Sequence, residues 1–126
     1  MSSVEITADN FNDTIANNGI VFLDFWAEWC GPCRGFAPVY ESAAAANPDI
    51  VFGKIDTEAQ QELAATFQIR SIPTIAVIRD NVMVFRESGA LPAAGLQQVI
   101  EGVRGLDMDK VRAEIAAQQE AGAQPG

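Results

Sequence analysis

The chain has 126 residues and a formal net charge of -9, from 17 acidic and eight basic side chains. A domain of this length buries roughly two-thirds of its unfolded surface, so it can fold without a disulfide or a metal ion. The negative charge opposes binding to nucleic acid or to anionic membranes. Composition therefore disfavours polyanion-binding functions and leaves the two cysteines available for chemistry.

Targeting features are the next constraint. The first residues lack both the basic segment and the apolar core of a signal peptide. The longest apolar run, Ile20–Ala27, is too short to cross a bilayer, and Asp24 interrupts it. We therefore expect a cytosolic protein, in a compartment that keeps thiols reduced.

The first half of the chain predicts two strands, each followed by a helix. Phe11 and Ile15, four residues apart, indicate a short helix. Pro32 lies near the first turn of the second helix, where its missing N–H has no effect, and Pro38 should kink that helix. The predicted elements are a strand at Val4–Thr7, a helix from Phe11 to about Asn17, a central strand at Ile20–Ala27 and a helix at Pro32–Ala46.

The second half predicts a strand and helix, a hairpin and a further helix. Asp80–Asn81 tolerates the left-handed backbone of a tight hairpin turn. The elements are a strand at Ile50–Asp56, a helix at Glu58–Phe67, strands at Thr74–Arg79 and Val82–Glu87, and a helix at Pro92–Val103. Strands that alternate with helices imply parallel pairing, and the hairpin adds an antiparallel part. We therefore predict an α/β fold with a mixed central sheet of about five strands and helices on both faces.

The C-terminal residues form a separate segment. Gly105 ends the last helix of the domain, and apolar residues from Leu106 to Ile115 then recur at helical spacing, with Asp107 as a candidate cap. After Gln119 the composition turns to Ala, Gly, Gln and Pro, which predicts disorder. We divide the chain into a domain at residues 1–104 and a helical C-terminal extension with a disordered end at residues 105–126.

Both cysteines lie two residues apart in Cys30-Gly31-Pro32-Cys33. Cys30 precedes the predicted helix, so the positive end of the helix dipole should stabilise its thiolate and make it the nucleophile. Cys33, one turn into the helix, should be more buried and should resolve the mixed disulfide. Gly31 and Pro32 form a tight connection that keeps the sulfurs within bonding reach.

Other uses of the pair compete with thiol–disulfide exchange. A zinc site requires about four ligands, whereas this chain has two cysteines and no histidine. A cluster shared between two chains would supply the number of ligands. Haem attachment needs histidine after the second cysteine, where Arg34 stands. An inert structural bridge is disfavoured by the expected cytosolic setting, so redox exchange is the leading interpretation and no metal is expected.

Several separated motifs resemble those of thioredoxins. The segment Trp26–Cys33, with the sequence Trp-Ala-Glu-Trp-Cys-Gly-Pro-Cys, resembles the family's active site. Asp24, Pro38, Lys54–Asp56, Ile69–Thr74 and Gly89–Ala90 agree in order and spacing, so the resemblance covers about residues 4–104. It implies the thioredoxin fold, reduction of protein disulfides, and electrons from NADPH through thioredoxin reductase, with no cofactor bound to the chain itself.

The resemblance also implies roles for two charged residues. Burial of Asp24 in an apolar strand would raise its pKa, and in the family the matching carboxylate exchanges protons with the second cysteine. We therefore expect Asp24 to serve Cys33 as acid and base, with a solvated edge-strand carboxylate as the alternative. Lys54 should tune Asp24 and the thiols electrostatically, unless it is simply solvated.

A substrate surface is implied around Cys30. By resemblance the Ile72–Pro73 peptide bond is cis and lies against the disulfide, with the Ile72 backbone pairing with an extended substrate. Trp29, Gly89 and Ala90 would complete a flat, largely apolar patch with them. The alternatives are an ordinary trans proline at a strand start and a core position for Trp29.

Two departures from the family pattern adjoin Cys33. Gly35 stands where the family usually has a bulkier side chain, and glycine in a helix is destabilising by roughly 0.5–1 kcal/mol relative to alanine. Arg34 places a cation in the first helical turn, where it should favour the Cys30 thiolate. Asp80–Asn81 replaces the family's common Asn-Gly hairpin turn, which we expect to leave function unchanged.

The leading hypothesis is a monomeric, cytosolic protein-disulfide reductase that uses Cys30 and Cys33. A binding module that uses the apolar patch or the C-terminal helix is the second hypothesis, and it predicts that the cysteines are dispensable. A disulfide oxidase or isomerase is the third, disfavoured by the Gly31–Pro32 dipeptide and the lack of a signal peptide.

Overall fold

The computed structural model describes residues 2–123, without side-chain detail for residues 121–123. The strands are β1 (Val4–Glu5), β2 (Ile20–Trp26), β3 (Val51–Asp56), β4 (Thr74–Arg79) and β5 (Val82–Ser88). The helices are α1 (Phe11–Asn17), α2 (Gly31–Ala46), α3 (Gln61–Thr66), α4 (Ala93–Arg104) and α5 (Met108–Ala123).

The five strands form one mixed sheet in the order β1-β3-β2-β4-β5. β3 pairs in parallel with β1 and β2, whereas β4 pairs antiparallel with β2 and β5. The central strand is β2, which explains why its sequence is apolar on both faces. The prediction of a mixed sheet with a late antiparallel hairpin is confirmed.

Buried side chains form a core on each face of the sheet. On one face, Phe22, Phe52 and Val77 pack against α2 and α4 through residues such as Tyr40 and Ile100. On the other face, alternate residues of the same strands pack against Phe11 and Ile15 of α1 and Leu63 of α3. Because side chains alternate along a strand, Asp24 shares the α2 face with Phe22.

Some predicted boundaries were too wide. α3 begins at Gln61 rather than Glu58, because the Asp56 carboxylate accepts hydrogen bonds from the N–H groups of Glu58 and Ala59 at 2.9 and 3.3 Å. Such an aspartate turn competes with helical hydrogen bonding. β1 covers only Val4–Glu5 of the predicted Val4–Thr7.

The β4–β5 turn uses the predicted residues. Asp80 and Asn81 have φ values of 51° and 67°, in the left-handed region. Aspartate and asparagine tolerate this region better than other non-glycine residues. The hairpin prediction is therefore confirmed, including the residues that form its turn.

The C-terminal segment is anchored where it leaves α4. The Arg79 guanidinium donates hydrogen bonds to the carbonyls of Val103 and Leu106 at 2.6 and 2.9 Å, and Met108 is buried. The predicted cap is also present, since Asp107 Oδ1 accepts a hydrogen bond from the Lys110 N–H at 3.2 Å.

The end of α5 differs from the sequence-based expectation. Disorder was predicted after Gln119, whereas the helix continues to Ala123. Alanine, glutamine and glutamate are favourable helix formers, and that propensity outweighs the loop-like composition. The rest of the predicted disordered end, residues 124–126, lies outside the described residues. In residues 2–123 no helix has both the length and the apolarity to cross a membrane.

Gly35 offers a stability prediction. It is exposed on α2, and a Cβ placed there meets no atom within 4 Å. Gly35→Ala should therefore raise the free energy of unfolding by about 0.5–1 kcal/mol, measured by urea titration. Gly53→Ala is the matched contrast, because its Cβ would lie 2.5 Å from Ile6 Cγ1 and should destabilise the core. A loss of stability in Gly35→Ala would contradict the prediction.

Candidate active site

Cys30 is the N-cap residue of α2, which begins at Gly31. Its Sγ accepts a hydrogen bond from the Cys33 N–H at 3.3 Å, so an unpaired amide of the first turn points at the sulfur. Pro32 occupies the first turn of the helix, as expected. This arrangement stabilises negative charge on Cys30 through both the amide and the helix dipole.

The two sulfurs lie at bonding distance, and the Cα atoms of Cys30 and Cys33 are 5.3 Å apart. The structure therefore describes the oxidised form of the pair. Cys33 was expected to be more buried than Cys30, but both are buried, with exposed fractions of 3% and 4%. Cys30 is as buried as Cys33 because Trp26 and Ile72 pack against the cluster that both cysteines form with Ala27.

The Ile72–Pro73 peptide bond is cis, as the resemblance implied. The Ile72 carbonyl oxygen lies 3.8 Å from Cys30 Sγ, which places this backbone segment beside the disulfide. The Gly89 N–H donates to the Pro73 carbonyl at 2.8 Å, and Gly89 has a φ of 107°, in the region that favours glycine. Of the expected apolar patch, Gly89 and Ala90 are exposed, Ile72 is half-buried and Pro73 is buried.

Asp24 lies on the central strand β2, with an exposed fraction of 1%, so the edge-strand alternative is wrong. Burial raises the pKa of its carboxyl group to about 7, although the Lys54 charge acts in the opposite direction. Among the described residues, neither carboxylate oxygen has a hydrogen-bond partner that would favour the ionised form. Asp24 is therefore suited to exchange a proton near neutral pH.

Lys54 faces Asp24 across the β2–β3 pairing, where the two residues are in register. Its Nζ lies 4.8 Å from the centre of the Trp26 ring, which is favourable for a cation. Lys54 is half-buried rather than fully solvated. Its charge lowers the pKa of Asp24, which agrees with the expected electrostatic coupling.

The residues around the cysteines have distinct exposures. Trp29 is 67% exposed, so the core alternative for this side chain is wrong. Gly31, Pro32, Arg34 and Gly35 are also exposed. Arg34 Nη1 donates to the Glu28 carbonyl oxygen at 2.8 Å, which fixes the guanidinium on the loop before Cys30.

Two contacts at the site involve residues that the sequence did not indicate. Glu58 Oε1 accepts a hydrogen bond from the Trp29 indole Nε1–H at 2.6 Å. The buried Tyr40 hydroxyl donates to the Gly53 carbonyl at 2.7 Å, and burial followed by the Asp24 charge raises the pKa of Tyr40. The two partners lie 29 residues apart in the first contact and 13 in the second, so the local sequence gave no indication of either contact.

Metal binding was one alternative use of the cysteine pair. In the described part of the chain, no group of three or more histidine, cysteine, aspartate or glutamate side chains is placed to hold a metal ion.

Comparisons with known proteins place this geometry in a family. The family model for thioredoxin matches residues 2–102. A putative thioredoxin 2 of Streptomyces coelicolor is 59% identical over 118 residues, which cover 94% of this chain and 88% of that protein. Thioredoxin C-3 of Corynebacterium nephridii is 44% identical over 102 residues, which cover 80% of this chain and 70% of that protein.

Solved structures agree with the sequence comparisons. A mutant thioredoxin from Halobacterium salinarum NRC-1 has a TM-score of 0.78 and 30% identity, covering 84% of this chain and 95% of that one. A thioredoxin from Plasmodium falciparum has a TM-score of 0.73 and 35% identity, covering 78% of this chain and 96% of that one. The thioredoxin fold is thereby confirmed, and the chain belongs to the thioredoxin family of protein-disulfide oxidoreductases, which act by dithiol–disulfide exchange.

Proposed function

We propose that this chain reduces protein disulfides and is returned to the dithiol form by an NADPH-dependent thioredoxin reductase. The observation that carries the proposal is the N-cap position of Cys30, whose sulfur accepts the Cys33 N–H and lies at bonding distance from the Cys33 sulfur. The chain itself binds no cofactor in this proposal, because the electrons are stored as the two thiols.

The reaction has two exchanges. The Cys30 thiolate attacks one sulfur of the substrate disulfide, forms a mixed disulfide and releases one substrate thiolate. The Cys33 thiolate then attacks Cys30 Sγ, forms the Cys30–Cys33 disulfide and releases the second substrate thiolate. Two electrons pass to the substrate, whose thiolates take up two protons.

Asp24 accepts the proton from the Cys33 thiol, directly or through a water molecule, and returns it when the pair is reduced. The proposal is supported by its pKa of about 7, since a carboxyl group with that pKa both accepts and releases protons near neutrality. Lys54 assists by electrostatic stabilisation of the Asp24 carboxylate. Arg34 adds positive charge near the helix start, with its guanidinium held on the Glu28 carbonyl.

The substrate lies across Trp29, the Ile72–Pro73 segment and the Gly89–Ala90 segment. The 3.8 Å distance between the Ile72 carbonyl oxygen and Cys30 Sγ supports pairing of this backbone with an extended substrate beside the reacting sulfur. Gly31 and Pro32 are exposed in the first turn of α2, between the two cysteines.

The remaining parts of the proposal concern organisation and location. In the proposal, residues 1–104 are the catalytic domain and residues 105–126 are an extension. The start of the extension is held by burial of Met108 and by the hydrogen bond from Arg79 to the Leu106 carbonyl. The protein acts as a monomer in the cytosol, where the reducing environment maintains the dithiol form.

Insulin reduction tests the proposed direction of electron flow. The full chain, NADPH and a thioredoxin reductase are combined with insulin, and NADPH oxidation and insulin precipitation are followed together. We expect turnover that depends on all three components. NADPH oxidation no faster than in a mixture without this chain would overturn the proposed coupling to the reductase.

A further inference from the structure

Three charged side chains form a row across the sheet, on the face that α2 covers. Glu5 of β1 is in register with Lys54 of β3, and Lys54 is in register with Asp24 of β2. Neighbours in register project to the same face of a sheet. The lysine therefore lies between an exposed carboxylate on the edge strand and the buried carboxyl group of the central strand.

A cavity of about 440 Å³ opens beside this lysine. Its lining contains one cation and three carboxylates, contributed by Ser3, Glu5, Trp26, Glu41, Lys54 and Asp56. The Lys54 Nζ lies 4.8 Å from the centre of the Trp26 ring. Among the residues whose side chains are described, no carboxylate makes a direct ion pair with Lys54. Its charge therefore acts on all the surrounding carboxylates rather than on one bound partner.

Glu41 is held in this cavity by the residues that precede β1. The N–H groups of Ser2 and Ser3 donate to Glu41 Oε2 at 3.2 and 3.3 Å, and the Ser3 hydroxyl donates to Glu41 Oε1. Limited burial acts in the opposite direction, but these hydrogen bonds and the Lys54 charge hold the pKa of Glu41 below its usual value. Glu41 therefore presents an ionised and anchored carboxylate to the lysine at neutral pH.

The other titratable groups near the cavity act less on the lysine. The Asp56 carboxylate accepts two N–H groups of the β3–α3 loop, which offset part of its charge. The Tyr40 hydroxyl donates to a backbone carbonyl of β3, and burial holds the pKa of this phenol well above its usual value, so it stays neutral. Glu5 is exposed, and solvent screens its charge. Glu41 is therefore the anchored charge that competes with Asp24 for the field of the lysine.

We propose that Glu41 is a positioning residue for proton exchange at the active site. Its anchored carboxylate attracts the Lys54 ammonium toward the cavity and so limits the stabilisation that Lys54 gives to the ionised form of Asp24. The inference rests on the proposed function, in which Asp24 takes up the Cys33 proton. Because Glu41 opposes ionisation of Asp24, that carboxyl group can both accept and release a proton near neutral pH.

Two variants that each remove a single charge test this role. Glu41→Gln removes the charge but keeps an amide oxygen that accepts the N–H groups of Ser2 and Ser3, so the segment before β1 stays attached. Glu5→Gln removes the charge of an exposed side chain in the same cavity and is the matched control. Asp24 is titrated by carboxyl ¹³C NMR in the oxidised protein, because a disulfide has no thiol that titrates alongside it.

The expected results differ between the two variants. Glu41→Gln should lower the midpoint of the Asp24 titration by roughly half a pH unit, because more of the Lys54 field then acts on Asp24. Glu5→Gln should lower that midpoint by less than about 0.2 pH unit, since its charge is already screened. Insulin reduction by pre-reduced Glu41→Gln at about pH 6 should be roughly twofold faster than by the parent, because more of Asp24 is ionised.

The two readouts separate this inference from the proposed function. An Asp24 midpoint that does not move in Glu41→Gln, or that moves equally in Glu5→Gln, overturns the positioning role while the reductase function stands. A lower midpoint without faster reduction at about pH 6 overturns the role of Asp24 as proton acceptor, and this inference with it. Absence of insulin reduction by the parent protein would instead overturn the proposed function.

Discussion

Cys30→Ser is expected to lower protein-disulfide reduction by more than about a thousandfold, because it removes the thiolate that attacks the substrate. Serine cannot form a thiolate, and its alkoxide is inaccessible at neutral pH even at a helix N-terminus. The rate of insulin reduction with dithiothreitol or with the reductase system measures the loss. Residual turnover well above about 0.1% of the parent rate would contradict the assignment.

Cys33→Ser should give a different result. Cys30 can still form the mixed disulfide, but no thiol remains on the chain to release it. Covalent adducts should therefore accumulate and run as larger species on non-reducing gels. Dithiothreitol should reduce the mixed disulfide and release the substrate. The Cys30→Ser, Cys33→Ser double variant is the control and should trap nothing. Adducts in Cys30→Ser but not in Cys33→Ser would reverse the two roles.

Asp24→Asn should change how stability depends on pH. Burial raises the pKa of Asp24 from 3.8 in the unfolded chain to about 7 in the folded protein. Between those values the folded state binds more protons than the unfolded state, so the free energy of unfolding falls as pH rises. The free energy of unfolding should fall by up to about 4 kcal/mol in total as pH rises to just above 7, and this contribution should stay constant at higher pH.

Asparagine does not titrate, so the free energy of unfolding of the variant should lack this fall with rising pH. The free energy of unfolding of Asp24→Asn minus that of the parent should rise from pH 4 to pH 7 and then level off, as measured by urea titration. Asp49→Asn provides a contrast of opposite sign, because the hydrogen bond from Arg104 lowers the pKa of Asp49. The free energy of unfolding of Asp49→Asn minus that of the parent should fall as pH rises through the acidic range. If the difference in free energy of unfolding between Asp24→Asn and the parent did not change with pH, the raised pKa of Asp24 would be contradicted.

The same variant also tests the proposed proton transfer. If Asp24 accepts the Cys33 proton, Asp24→Asn should slow disulfide reduction most near and above pH 7, where the parent carboxylate is ionised. Stopped-flow reduction of insulin by the pre-reduced variant at several pH values measures this. Equal rates of parent and variant across neutral and mildly alkaline pH would leave Asp24 with a structural role only.

Much of the site could be predicted because its signals are local. The helix start at Gly31 follows from Pro32 in the first turn, and it sets Cys30 as the N-cap. The left-handed turn at Asp80–Asn81 likewise depends on two adjacent residues. At the active site, the error fell where distant segments meet. The low exposure of Cys30 depends on Ile72, which lies 42 residues further along the chain.

By itself, the sequence determined the cysteine spacing, the helix behind it, the strand content and the polar residue within the central strand. These features depend on side-chain type and on neighbours within a few residues. Only the tertiary structure decided how deeply Asp24 is buried beneath α2, how Ile72 covers the disulfide and which carboxylate holds the Trp29 indole. Glu58 and Trp29 are 29 residues apart, and their contact exists only because β2 and β3 pair in parallel and bring their following loops to one edge of the sheet.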